Sequence, residues 1–137
     1  MHFKYKSKII YTEKRNSKKR ANKPWIIVPV DLYLINYYRT LLENEVTNIF
    51  RSKSVIQASK WQGHVTVLDG RKDISPKKQK LWKKYNYDEV EFEYSNQIQK
   101  HWKFYSLPVK CEYFNFIRKE LGLNEIETFH ITIGREY

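Results

Sequence analysis

The sequence predicts an α+β fold on antiparallel sheet, arranged as two related lobes. Three observations carry this expectation. Gly63-His64-Val65-Thr66-Val67 recurs as Phe129-His130-Ile131-Thr132-Ile133, a His-x-Thr set among β-branched residues both times. Strand and helix patterns alternate without the long crossovers that parallel strands need. A helical pattern precedes each His-x-Thr strand, over 31–44 before His64 and 112–121 before His130.

Taken in order, 3–11 alternates apolar and basic residues (Phe3, Tyr5, Lys6, Lys8, Ile9), as an edge strand does. Residues 13–24 read as a polar, basic loop closed by Pro24. Trp25-Ile26-Ile27-Val28-Pro29-Val30 is a short buried strand, with Pro29 at its end or on an edge. Asp31 suits an N-cap, and Leu32, Ile35, Tyr38, Arg39 and Leu42 recur at helical spacing to about Asn44. Over 45–60 a short helix and then a loop are expected. The first motif strand spans 62–68 and ends at the Asp69-Gly70 turn. Ser75-Pro76 starts a short helix carrying Leu81 and Trp82. Residues 88–95 alternate, with Val90, Phe92 and Tyr94 on one face and Glu89, Glu91 and Glu93 on the other. A strand over 102–111 pairs with it, a helix follows over 112–121, and Gly122 stops that helix. The second motif strand occupies 128–134.

At 137 residues the chain accommodates one domain with its own core, covering 1–137. A hydrophobic share of 41% and an aromatic share of 16% exclude wholesale disorder. The formal net charge is +11, and residues 1–24 hold most of it, nine Lys/Arg against Glu13 alone leaving +8. Such a balance predicts a polyanionic partner, and for the basic segment an anion-collecting role stands beside that of a solvated strand edge. Cys111 is the single cysteine, so no intramolecular disulfide forms. No apolar run approaches the roughly 20 residues of a membrane span. A cytoplasmic protein without membrane association is therefore expected.

The motif dictates the chemistry to consider. Side chains alternate along a strand, so His64 and Thr66 share one face while Val65 and Val67 fill the other. His130 and Thr132 do the same. Two adjacent strands would bring two imidazoles and two hydroxyls to one cleft. Phosphodiester cleavage needs a base for the nucleophile, an acid for the leaving oxygen and donors for the phosphoryl oxygens. An imidazole with an ordinary pKa of about 6.5 serves as either acid or base near neutral pH. His64, Thr66, His130 and Thr132 are thus the candidate catalytic residues, and no cofactor is called for. His2 and His101 lack this setting and read as surface or local packing. A zinc site would need clustered His, Cys and carboxylates, which neither motif supplies. Tyr38 on the apolar stripe, Arg39 beside it, and Trp102 and Tyr105 are candidate substrate contacts for phosphate or base, alongside Trp61 and Trp82. For each aromatic the competing reading is core packing.

The paired His-x-Thr strands resemble the two-histidine (2H) phosphoesterase superfamily. Within it, several stretches are similar to the phage anti-CBASS phosphodiesterases. They are Asp31-Leu32-Tyr33 through Tyr37-Tyr38-Arg39-Thr40-Leu41-Leu42, His64-Val65-Thr66-Val67, Leu81-Trp82-Lys83-Lys84-Tyr85, Val90-Glu91-Phe92-Glu93-Tyr94 and Val109-Lys110-Cys111. The likeness is strongest at Ile117-Arg118-Lys119-Glu120-Leu121-Gly122-Leu123 and Phe129-His130-Ile131-Thr132-Ile133-Gly134-Arg135. The resemblance implies a two-lobed antiparallel fold with helices on the outer faces. It also implies metal-independent cleavage of 3′–5′ bonds in cyclic di- or trinucleotide immune messengers by the His/Thr quartet. RNA or a 2′,3′-cyclic phosphate end is the alternative substrate, and a non-catalytic nucleotide sponge is the alternative function.

Overall fold

The computed structural model describes residues 1–12, 24–50, 56–57, 63–70 and 83–136. Residues 13–23 of the loop expected over 13–24, the helix expected from Ser75-Pro76 through Trp82, and Trp61 lie outside these residues. The elements in chain order are β1 (His2–Lys8), β2 (Ile10–Thr12), β3 (Trp25–Pro29), α1 (Leu32–Phe50), β4 (Ile56–Gln57) and β5 (His64–Leu68). They continue with β6 (Glu89–Ser95), β7 (Gln99–His101), β8 (Phe104–Lys110), α2 (Glu112–Glu120) and β9 (Phe129–Glu136). The architecture is mixed α+β, with one antiparallel sheet in the order β1-β6-β8-β9-β5-β3-β2, to which β4 adds on β9 and β7 on β8.

The sheet curls. β1 and β2 sit at opposite ends of the strand order yet only Ile9 separates them in sequence. Ile9 is fully buried, and its flanking backbone is tied to the turn before β6 through Ile9 N–H to Asp88 and Tyr87 N–H to Ile9. The expected edge strand is therefore two strands that pair with different neighbours. The two ends of the curl also meet directly, where Ser7 Oγ donates to the Pro29 carbonyl at 2.6 Å and Asp31 N–H donates to Tyr5 Oη at 2.8 Å.

Two β-α-β repeats lie at the centre. In the first, β3 leads through α1 to β5, which pairs with β3. In the second, β8 leads through α2 to β9, which pairs with β8. Their registers match residue for residue. Pro29 faces His64 and Ile27 faces Thr66 in one; Pro108 faces His130 and Ser106 faces Thr132 in the other. Each carries a bulge at the equivalent place, between Ile26 and Ile27 and between Tyr105 and Ser106. The repeats join where Val65 pairs with Ile131, so an approximate twofold axis passes through that pair.

The core lies on the apolar face of these strands. Val65, Val67, Ile131, Ile133, Leu107 and Val109 are all fully buried there. α1 crosses β9 and α2 crosses β5, so each helix covers the other repeat's motif strand. Asp31 caps α1 as predicted, its carboxylate accepting from Tyr33 N–H at 2.8 Å. The helix runs on to Phe50, beyond the expected stop at Asn44. α1 packs against Gly63, just before β5, where a Cβ would sit 1.7 Å from Ile35 Cδ1. α2 ends in a Schellman turn, with Gly122 at φ 78°, Gly122 N–H bonded to Lys119 and Leu123 N–H bonded to Arg118. Glu112 in its first turn and Arg118 and Lys119 in its last complement the helix dipole. Beyond it, Asn115 grips Ile126 through both backbone groups at 2.8 Å, which sets the approach to β9.

Candidate functional site

Continuing the Val65–Ile131 register by one residue each way sets His64 opposite Thr132 and Thr66 opposite His130. The four side chains form a square on one face of adjacent strands. The two histidines occupy one diagonal, where backbone positions lie about 7–8 Å apart, and the two threonines occupy the other. Their β-branched neighbours hold this face outward, because the opposite face is buried core. His64, Thr66 and Thr132 are half-buried and His130 is exposed.

The second half of the square has polar neighbours. Ser106 Oγ lies 3.4 Å from His130 Nδ1, a long contact. Desolvation by surrounding atoms, and secondarily the nearby His101, hold the His130 pKa below the ordinary imidazole value. His101, read from the sequence as surface or local packing, is exposed at the surface and near enough to His130 to act on its charge. Prolines flank both histidines, Pro29 across from His64 and Pro108 across from His130. These residues were legible as a second repeat, Val28-Pro29-Val30 against Leu107-Pro108-Val109, which also brings Ser106 into line with Ile27.

Arg118 couples the halves. It is 4% exposed, and its guanidinium donates to the Val67 carbonyl and the Asn124 carbonyl, both at 2.7 Å. The Val67 carbonyl lies at the bulge of the first motif strand, so a residue of α2 fixes β5 in place.

The other candidate residues are scattered. Tyr38 is buried in the core, edge-on to Tyr37 and Tyr94, on the face away from the histidines, and its desolvation raises its pKa. It is a packing residue. Arg39 bonds Asn36 at 2.6 Å on the outer side of α1. Tyr105 is buried at the second bulge, with Lys100 Nζ 5.5 Å from its ring centre. Trp102 is 69% exposed at the β7–β8 turn. The part of the basic segment that is described is a ladder, with Lys4, Lys6 and Lys8 in register with Glu93, Glu91 and Glu89. Glu91 lies 3.8 Å from Lys4 and 4.0 Å from Lys6, so glutamates offset these charges.

Among the described residues, no three His, Cys, Asp or Glu side chains come close enough to share a metal ion. Cys111, at the start of α2, directs its Sγ toward the Glu91 carbonyl at 3.7 Å. Among the described residues, no helix is long and apolar enough to cross a membrane. No family model matches the chain, and neither a curated protein nor a solved structure matches it.

Proposed function

We propose that the chain is a metal-independent phosphodiesterase of the two-lobed 2H type, acting on cyclic di- or trinucleotide messengers as the phage anti-CBASS enzymes do. The observation that carries the chemistry is the Val65–Ile131 pairing, which turns two separate His-x-Thr strands into one square of side chains. The sequence resemblance supplies the substrate class.

The cleavage balances without further groups. One imidazole takes the proton of a ribose 2′-OH, the 2′ oxygen bonds to phosphorus, and the P–O5′ bond breaks. The other imidazole gives its proton to the departing 5′ oxygen, leaving a 2′,3′-cyclic phosphate and a free 5′-OH. Thr66 and Thr132 donate to the non-bridging oxygens as charge builds on them. His130 suits the base, because its surroundings favour the neutral ring. His64 then serves as the acid. Water replacing the 5′ oxygen would open the cyclic phosphate with the two roles exchanged.

Incubating the protein in EDTA with cyclic di- and trinucleotides, linear RNA and 2′,3′-cyclic-phosphate ends, resolved by chromatography, tests this reading. Opening of a cyclic oligonucleotide is the expected result. Processing of RNA ends alone would move the substrate to the linear class, and ligands recovered intact throughout would contradict an enzyme.

A further inference from the structure

We infer that Phe104 and Arg135, with Trp102 and His101 beside them, form a nucleobase-stacking platform on the second repeat alone. This rests on the phosphodiesterase reading for the position of the phosphate, and it adds where the neighbouring base sits.

The register places the platform. His101 pairs with Phe104, and Phe104 pairs with Arg135, so the three residues form one row across β7, β8 and β9. Phe104 stands two residues from Ser106 on β8, and Ser106 faces Thr132. The row therefore lies on the His/Thr face, one step along from the square. Two residues of strand cover about 7 Å, the reach of a ribose from its phosphate to its base.

The side chains suit that ligand. Phe104 and Trp102 are large rings left 36% and 69% exposed, with centroids 6.1 Å apart and planes inclined at 54°. Trp102 holds φ 55°, a conformation rare for an aromatic residue. Cations lie against both rings, with the Arg135 guanidinium carbon 5.5 Å from Phe104 and Lys103 Nζ 5.3 Å from Trp102. Exposed rings interleaved with cations beside a phosphate site have the composition of a single-strand base platform. The equivalent row of the first repeat cannot do this. Trp25 replaces Phe104 and is 4% exposed, and Asp69 replaces Arg135 and would repel phosphate.

Titration of wild type, Phe104→Ala and Phe104→Tyr with 2′,3′-cyclic AMP and with ribose 5-phosphate, followed by tryptophan fluorescence, tests the platform without requiring turnover. The wild type should bind the adenine nucleotide at least about 10-fold tighter than ribose 5-phosphate. Phe104→Ala should lose that preference with unchanged ribose 5-phosphate affinity, and Phe104→Tyr should keep it. Equal affinities in the wild type, or a preference that survives Phe104→Ala, would overturn the platform. Adenine-dependent binding through Phe104 in a protein that opens no cyclic oligonucleotide would uphold the platform and contradict the cyclic substrate. Turnover with no dependence on Phe104 would do the reverse.

Discussion

The two repeats share a backbone and differ in what they display. Each has a proline opposite its histidine, a bulge one step beyond its threonine pair, and a helix that covers the other repeat's strand. Around His64 the cross-strand neighbours are Pro29 and Ile27, and the row beyond holds buried Trp25 and Asp69. Around His130 they are Pro108 and Ser106, and the row beyond holds His101, Phe104 and Arg135. On the proposed reading, the common frame sets an acid/base pair about one phosphate. The unlike surroundings would then assign the roles and orient the substrate, since a symmetric square alone would bind a nucleotide equally well in both directions.

The comparison is most directly broken at the histidines. His64→Ala and His130→Ala should each lower kcat by about 10²–10⁴-fold on the cyclic substrate, measured chromatographically. A variant of either that keeps wild-type turnover would show that one repeat suffices. Next come the hydroxyls. Thr66→Val and Thr132→Val should each cost about 10²-fold in kcat, with smaller changes in KM, because they act on charge that develops during reaction. Unequal losses would show which hydroxyl carries more of that charge.

The coupling between repeats is a matter of stability. Arg118→Met removes the donors to the buried Val67 carbonyl and to the Asn124 carbonyl, and a loss of about 3 kcal/mol is expected in urea unfolding. Little change would mean that β5 holds its bulge without α2. The smallest effect concerns His101. Replacing it with Gln removes a neighbour that lowers the His130 pKa, so that pKa should rise toward its ordinary value. A base must be neutral to act, so the acid limb of kcat/KM should move to higher pH. Activity near pH 6 falls and activity above pH 8 stays, and a limb that does not move would remove His101 from the electrostatics of the site.

Much of the frame was legible because alternation and capping are local signals. Asp31 capped α1, Gly122 ended α2, and both His-x-Thr stretches formed strands with the expected buried faces. What was not legible depends on distant partners. The break at Ile9 follows from curling of the whole sheet. β4 is two residues that pair with Arg135 and Glu136 of β9, and nothing in Ile56-Gln57 announces it. α1 outran its expected end, and the signal was present, since Val46, Ile49 and Phe50 continue the spacing of Leu42. For the aromatics, composition gave the rings but not their faces. Tyr38 and Tyr105 went to the core, whereas Phe104, which sequence reading passed over, stands with Trp102 in solvent. His101 shows the same limit, since its relation to His130 comes from β7 folding back on β8.

The central claim is that the two histidines act together on one phosphate. It is tested most directly by the turnover of His64→Ala, His130→Ala and the double variant on one cyclic oligonucleotide in EDTA. Residues that work as a unit lose their function together, so the double variant should be no slower than either single variant. Losses that multiply in the double variant would mean that each histidine contributes on its own, and the shared site would be contradicted.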